Sequence, residues 1–380
     1  MLVIQSGILL DMRETPMVEL KRFPLRTVVL FFAAGLFVFL LYLYFFVPFG
    51  GVVQTIEQMN PFYFLLALSA FFVSAVFYAL SWQRLLGMLS VKASFLKVFQ
   101  FTWVANFVDI LVPAESVSGD ISRIYLMSKE SGGDAGKVAA SVISHRILAT
   151  CVTIVSLIIS STYFAIYYKP PILIMELVTI VAIFSAIFIG LLFFLSMSRK
   201  ATERIVNWII RLLVRVSRDR WKFENLKESA MKTLSTFHDG IVVLGRNLKG
   251  LVLPLVFSIF AWILDVLIAV LVFLSLGPLE VTISLSAIVI VYSLSVAIHY
   301  IPLVSGELGI LEIVMTSLFT LLGNPQAIAV FAVATILIRL FTLWGRLLVG
   351  GLIVQFMGIK SLMPSQNTVI REVQVLSHEK

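Results

Sequence analysis

A single cysteine, Cys151, stands among the 380 residues. That excludes an internal disulfide framework and a four-cysteine zinc site, and inside an apolar run it reads as a small core residue. Charge is also scarce, with Asp, Glu, Lys and Arg making up 13% of the chain. No polar block is long enough for a separate soluble catalytic domain. The stretch SGGDAGKVAAS lacks the GxxxxGK[ST] spacing of a phosphate-binding loop and follows no strand, so it supports no ATPase site. Neither HExxH nor GxSxG occurs, which leaves no familiar hydrolase motif. No metal site, no cofactor and no nucleic-acid partner is expected. No cleavable signal peptide is evident either, because the first long apolar run is long enough to span a membrane.

Apolar length is what the chain has in abundance. Mean hydropathy is +1.03 and 60% of residues are hydrophobic. Runs such as 28–47 reach the ~20 apolar residues that cross a bilayer. The pattern predicts an all-α polytopic membrane helix bundle, with spans at about 27–49, 61–82, 138–168, 171–197, 251–276 and 326–354. Between them lie two broken pairs, 95–112 with 117–129 and 281–301 with 307–322. The first break reads FVDILVPAESVSGDISR and carries Pro113, Gly119, Asp120 and Arg123. The second reads HYIPLVSGELGILE and carries Pro302, Gly306, Glu307, Gly309 and Glu312. Proline and glycine end helices, and broken backbone at membrane depth persists only where protein or a polar cavity satisfies it. Each pair is either re-entrant or fully crossing, and the orientation of the remaining spans is the same in both cases.

Basic residues set the orientation, since Lys and Arg concentrate on the cytoplasmic side. With the N-terminus inside, the outside loops are 50–60, 169–170, 277–280 and 323–325, and of 29 Lys and Arg only Lys169 falls in them. Both termini are therefore expected in the cytoplasm of a multi-pass cell-membrane protein. Residues 1–26 form a cytoplasmic N-terminal segment, 27–354 a single transmembrane domain and 355–380 a cytoplasmic tail. Within the domain, 198–250 reads as a cytoplasmic amphipathic hairpin. In 201–216, Ile205, Trp208, Leu212 and Val216 recur at helical spacing, with Arg204, Arg211 and Arg215 on other faces. Such a helix suits an anionic inner leaflet, or simply connects two halves.

The two halves share one order: span, first part of a broken pair, proline break, restarting helix, span. The copies cover about 61–168 and 251–354. An odd number of crossings separates them, so they face opposite ways, as an inverted repeat. Such repeats place a binding site near the midplane between them.

Several residues could carry chemistry there. Asp120 and Arg123 share a face of the first restarting helix, whose N-terminus at Ser118 or Gly119 is suited to an anion such as phosphate. The same two side chains could equally neutralise each other. Arg146 either closes that site or snorkels to the cytoplasmic interface. His145 and His299 are candidates for a proton relay. Glu307 and Glu312 lie beyond the second break, where a carboxylate needs a cation, a proton or water. Arg339 and Arg346 share one face of the last span, and Asp265 or Glu312 paired with Arg339 would make a structural lock.

Together these motifs resemble the transmembrane region of lysylphosphatidylglycerol synthases. That family includes small stand-alone flippase-like membrane proteins. Its proline, Gly-Asp and arginine motif is matched by Pro113, Gly119, Asp120 and Arg123, and its AAS…R by Ala139, Ala140, Ser141 and Arg146. A second motif, P-x-x-P-G-G-x-G-x-x-E, is matched by Pro302, Gly306, Gly309 and Glu312, while Ser305 and Glu307 depart from it. The resemblance runs over about 25–355. It implies a module that moves a phospholipid or lipid-linked headgroup across the membrane. About 25 residues follow the last span, so the separate domain that attaches the amino acid in full-length synthases is expected to be absent. Two other classes stay open: an intramembrane transferase acting on a lipid phosphate, with His145, Asp120 and Glu307 as its acid–base set, and a membrane partner of a separate lipid-modifying enzyme.

Overall fold

A computed structural model describes residues 36–45, 47, 57, 59–112, 117–132, 134–168, 172–217, 223–277, 283–298 and 308–357. Pro113, His299, Pro302, Gly306 and Glu307 lie outside the described residues. Within them the chain is helical and no strand occurs. The first half holds α1 (Leu36–Phe45), α2 (Pro61–Met88), α3 (Phe95–Leu111), α4 (Val117–Ser131) and α5 (Ala135–Tyr168). Next come α6 (Ile172–Met197), α7 (Arg199–Ser217) and α8 (Phe223–Arg246). The second half holds α9 (Leu248–Ser275), α10 (Leu285–Ile298), α11 (Ile310–Leu322), α12 (Ile328–Arg339) and α13 (Arg346–Met357). A wider π-helical turn, Leu340–Gly345, joins α12 to α13 without ending the helix.

Local chemistry places the helix starts. The Asn60 side chain accepts the Phe62 N–H and Pro61 opens α2, where a missing N–H costs nothing. Ser94 caps α3 through Lys97, and Asn247 caps α9 through Gly250. Four helical stretches among the described residues are long and apolar enough to cross a membrane: Pro61–Met88, Ala135–Tyr168, Leu248–Ser275 and Pro325–Met357. Large apolar side chains such as Phe62, Ile159, Ile166 and Phe356 are exposed along these stretches. Such surface is what a lipid environment covers. The chain is an integral membrane protein.

The central seam is α2 against α9. Asn60 N–H donates to the Ser275 carbonyl at 2.7 Å, Ser74 Oγ to Ala261 at 3.3 Å and Ser81 Oγ to Pro254 at 2.9 Å. Partner numbers fall as α2 numbers rise, so the two helices run antiparallel over their length. Small residues on α2, including Ala67, Ala70, Ser74 and Ser81, are buried and let the backbones approach. Two apolar clusters flank the seam. One gathers Val272, Ala287, Phe319 and Phe331 from α9 to α12. The other gathers Trp82, Leu86, Phe101 and Val138 from α2, α3 and α5, with Ile241 of α8.

Glycine sets two further approaches onto α3. A methyl group at Gly119 of α4 would sit 2.6 Å from the Ala105 carbonyl oxygen, and one at Gly350 of α13 would sit 2.7 Å from that of Trp103. Both helices reach α3 only because a side chain is missing.

Candidate functional site

The first restarting helix, α4, begins against a carboxylate. Asp109, on α3, accepts the Gly119 N–H at 2.6 Å and the Ser118 hydroxyl at 2.8 Å through one oxygen. Sequence spacing leaves this helix start open for a phosphate. At Gly119 the amide is already taken, because the preceding helix supplies its own anion there. Asp109 did not stand out in the sequence. Its signal was a lone acid in an apolar helix, just before a proline break.

Asp120, the fourth residue of α4, is bonded to two arginines. One oxygen takes Arg123, three residues on, and the other takes Arg146 of α5 at 2.6 Å. The intrahelical pair and a second arginine, from α5, are therefore both present on one carboxylate. Arg123 is 4% exposed, and its guanidinium lies 5.0 Å from the Trp82 ring centroid and 5.9 Å from that of Tyr78. These aromatic faces favour a cation. Arg123 Nε and one terminal nitrogen have no acceptor among the described residues. Ser141, from the Ala-Ala-Ser motif, accepts the Trp82 indole N–H at 3.0 Å and so braces that aromatic wall.

His145 is fully buried with its ring edge-on to Tyr78, centroids 4.3 Å apart, and neither ring nitrogen has a partner among the described residues. It stands behind Tyr78 and does not line the cavity described below.

In the second half, Gly309 precedes α11 with φ of +81°, a conformation that glycine adopts without strain. Glu312 reaches back to the Gly309 N–H at 2.7 Å and takes Arg339 Nε of α12 at 2.7 Å. Side-chain exposure is 0% for Glu312 and 3% for Arg339. Of the two locks the spacing allowed, the structure makes Glu312 with Arg339. Asp265 instead accepts the hydroxyls of Ser74 and Tyr292.

The two halves thus repeat one arrangement. A carboxylate near the start of the restarting helix binds an arginine of the next long helix. The partners are 26 residues apart for Asp120 and Arg146, and 27 for Glu312 and Arg339. A carboxylate also holds a glycine N–H at each start, Asp109 at Gly119 and Glu312 at Gly309.

These groups surround one cavity of about 250 Å³. Its walls come from both halves: Tyr78, Asn106, Asp109, Asp120, Arg123 and Arg146 on one side, and Trp262, Asp265, Tyr292, Arg339 and Arg346 on the other. Glu312 stands behind Arg339, outside the lining. The π-helical turn contributes Thr342 and Leu343, between Arg339 and Arg346. Such turns inside helices recur at functional sites. Of the residues the sequence had singled out, the cavity gathers Asp120, Arg123, Arg146, Asp265, Arg339 and Arg346. Gly119 and Gly309 shape the helix starts around it. Tyr78, Trp262 and Tyr292 carried no sequence signal in a chain with this many aromatics.

A helical membrane protein with a charged cavity inside its bundle is the class these observations define. Residues 32–350 match the family described as the lysylphosphatidylglycerol synthase TM region, and the chain belongs to that family. It is 26% identical to the UPF0104 membrane protein PH1989 of Pyrococcus horikoshii over 311 residues, 80% of this chain and 91% of the relative. A UPF0104 membrane protein of Methanothermobacter thermautotrophicus is 26% identical over 297 residues, covering 78% and 85%. The UPF0104 membrane protein MJ1595 of Methanocaldococcus jannaschii is 23% identical over 310 residues, covering 80% and 87%.

Proposed function

We propose that this protein moves a phospholipid or lipid-linked headgroup across the membrane through the cavity between its halves. The observation that carries the reading is the cavity itself. Seven ionisable acids and arginines line it: Asp109, Asp120, Arg123, Arg146, Asp265, Arg339 and Arg346. Ionisable groups inside a bundle are costly and mark pathways for polar cargo. At about 250 Å³ the space lies just under the ~300–1,000 Å³ of drug-sized ligand sites, which fits a headgroup whose acyl chains stay in lipid. The two Arg123 nitrogens without an acceptor among the described residues and the guanidinium of Arg346 suit phosphate oxygens.

An inverted repeat fits the same picture. The counterpart helices α2 and α9 run antiparallel, and the acid–arginine pairs recur at nearly equal spacing. In this reading both termini and α7 face the cytoplasm, with the basic helix on the anionic leaflet. A separately encoded lipid-modifying enzyme would supply cargo from that side.

The test uses purified protein in liposomes holding phospholipids labelled on the headgroup. An impermeant quencher added outside reports the inner-leaflet label as it crosses. Crossing faster than in protein-free vesicles, and slowed by Arg123→Ala in folded protein, supports the reading. Equal rates in wild-type and protein-free vesicles overturn it.

A further inference from the structure

The acids of the core are not equivalent. Asp109 is held by the start of α4 with the Arg123 charge close by, Asp120 by two arginines and Glu312 by Arg339 with the Gly309 N–H. Asp265 differs. It sits well inside the 28-residue apolar helix α9 and lines the cavity. Its partners are two neutral hydroxyls, Ser74 Oγ and Tyr292 Oη, the latter at 3.0 Å. No cation pairs with it among the described residues. A carboxylate inside an apolar span is costly, and among the described residues no arginine is bonded to this one.

Its two partners come from opposite halves, Ser74 from α2 and Tyr292 from α10. An ionised carboxylate only accepts, so it can hold both hydroxyls at once. A proton on one oxygen turns that oxygen into a donor. A sodium ion on it takes the lone pairs that the hydroxyls use. Either event re-sorts the contacts that join the halves beside the cargo cavity.

We infer that Asp265 is the binding site of a monovalent coupling cation, a proton or sodium, for the lipid movement proposed above. The inference rests on that reading. Occupancy of Asp265 supplies the charge that the bundle lacks there and shifts the bonding of α2 and α10 to α9. Other ionisable groups face the same cavity: Asp109 of α3, Asp120 and Arg123 of α4, and Arg146 of α5. Arg339 of α12, Arg346 of α13 and the phenols of Tyr78 and Tyr292 complete that set. The pairs formed by Asp120 and by Glu312 make those groups poorer cation sites than Asp265.

The experiment uses proteoliposomes at zero membrane potential, loaded with headgroup-labelled phospholipid. One arm imposes a pH gradient at equal sodium, and the other a sodium gradient at equal pH. For one-to-one coupling, one pH unit or a tenfold sodium gradient shifts the steady-state leaflet ratio by up to about tenfold. Wild type responds to one gradient, and Asp265→Asn responds to neither, its leaflet ratio staying the same whichever gradient is imposed. Asn keeps the shape and an acceptor for a hydroxyl. A wild type that equilibrates lipid whatever the gradient, or an Asp265→Asn variant that responds like wild type, overturns the inference and leaves lipid movement standing. If no lipid moves, the proposed function fails separately. Infrared difference spectra and sodium-22 binding then read the site directly. A carboxyl band or bound sodium present in wild type and absent in Asp265→Asn supports the site, and no difference overturns it.

Discussion

Replacing Glu312 by alanine removes two contacts at once. The Glu312–Arg339 pair is almost wholly buried, with side-chain exposures of 0% and 3% and a 2.7 Å contact. Breaking one side of such a pair costs about 3–5 kcal/mol when the other charge is left without compensation. Arg339 lines the polar cavity, which places the loss near the lower end. The buried Gly309 N–H also loses its acceptor, worth about 1–3 kcal/mol. Glu312→Gln keeps an oxygen for Gly309 and loses only the charge. Glu312→Gln with Arg339→Met removes both charges and leaves neither stranded, so it should recover most of the stability. The expected order of thermal midpoints in detergent is wild type, then the double variant, then Glu312→Gln, then Glu312→Ala. Tryptophan fluorescence follows the transition, and the double-mutant cycle should be strongly non-additive. Additive losses, or a Glu312→Ala midpoint equal to wild type, would refute the lock.

Other expectations follow from the same contacts. Gly119→Ala should destabilise by about 1–3 kcal/mol, because its methyl group meets the Ala105 carbonyl oxygen at 2.6 Å. Gly245→Ala in α8, with nothing within 4 Å of the new methyl, should be neutral or stabilising by up to about 1 kcal/mol in the same assay. Asp109→Ala should cost about 1–2 kcal/mol and speed amide exchange at the start of α4, whose Gly119 N–H it holds. Unchanged exchange at Gly119 would mean that the α3 carboxylate does not anchor that helix.

Much of the helical order was legible because membrane spans announce themselves by length. The apolar runs that begin near 61, 138 and 251 correspond to helices, and α3 ends at Leu111, two residues before Pro113 in the sequence. The family was legible through motifs in order: Pro113, Gly119, Asp120 and Arg123, then Ala139, Ala140, Ser141 and Arg146, then Pro302, Gly306, Gly309 and Glu312. The bonding among them was not. Spacing puts Asp120 and Arg123 on one face, but only the fold brings Arg146 to the other oxygen of Asp120. Sequence left Arg339 a choice of two acids. Packing decided it, because Asp265 was already engaged with Ser74 and Tyr292 across the seam. Asp109 was hidden because a capping acid usually lies beside the helix start, whereas this one reaches it from the preceding helix. The aromatic wall of Tyr78, Trp82 and Trp262 was illegible, since 12% of the chain is aromatic and lipid-facing rings look the same in sequence.

Blocking the cavity tests the central claim most directly. In a Cys151→Ser background, Ala149→Cys places a single thiol on the cavity wall contributed by α5. Lipid crossing is measured in proteoliposomes before and after reaction with a bulky thiol reagent. The modified protein should stop moving lipid, and cleavage of a reversible adduct should restore it. Undiminished crossing with the cavity filled would show that lipid headgroups take another route.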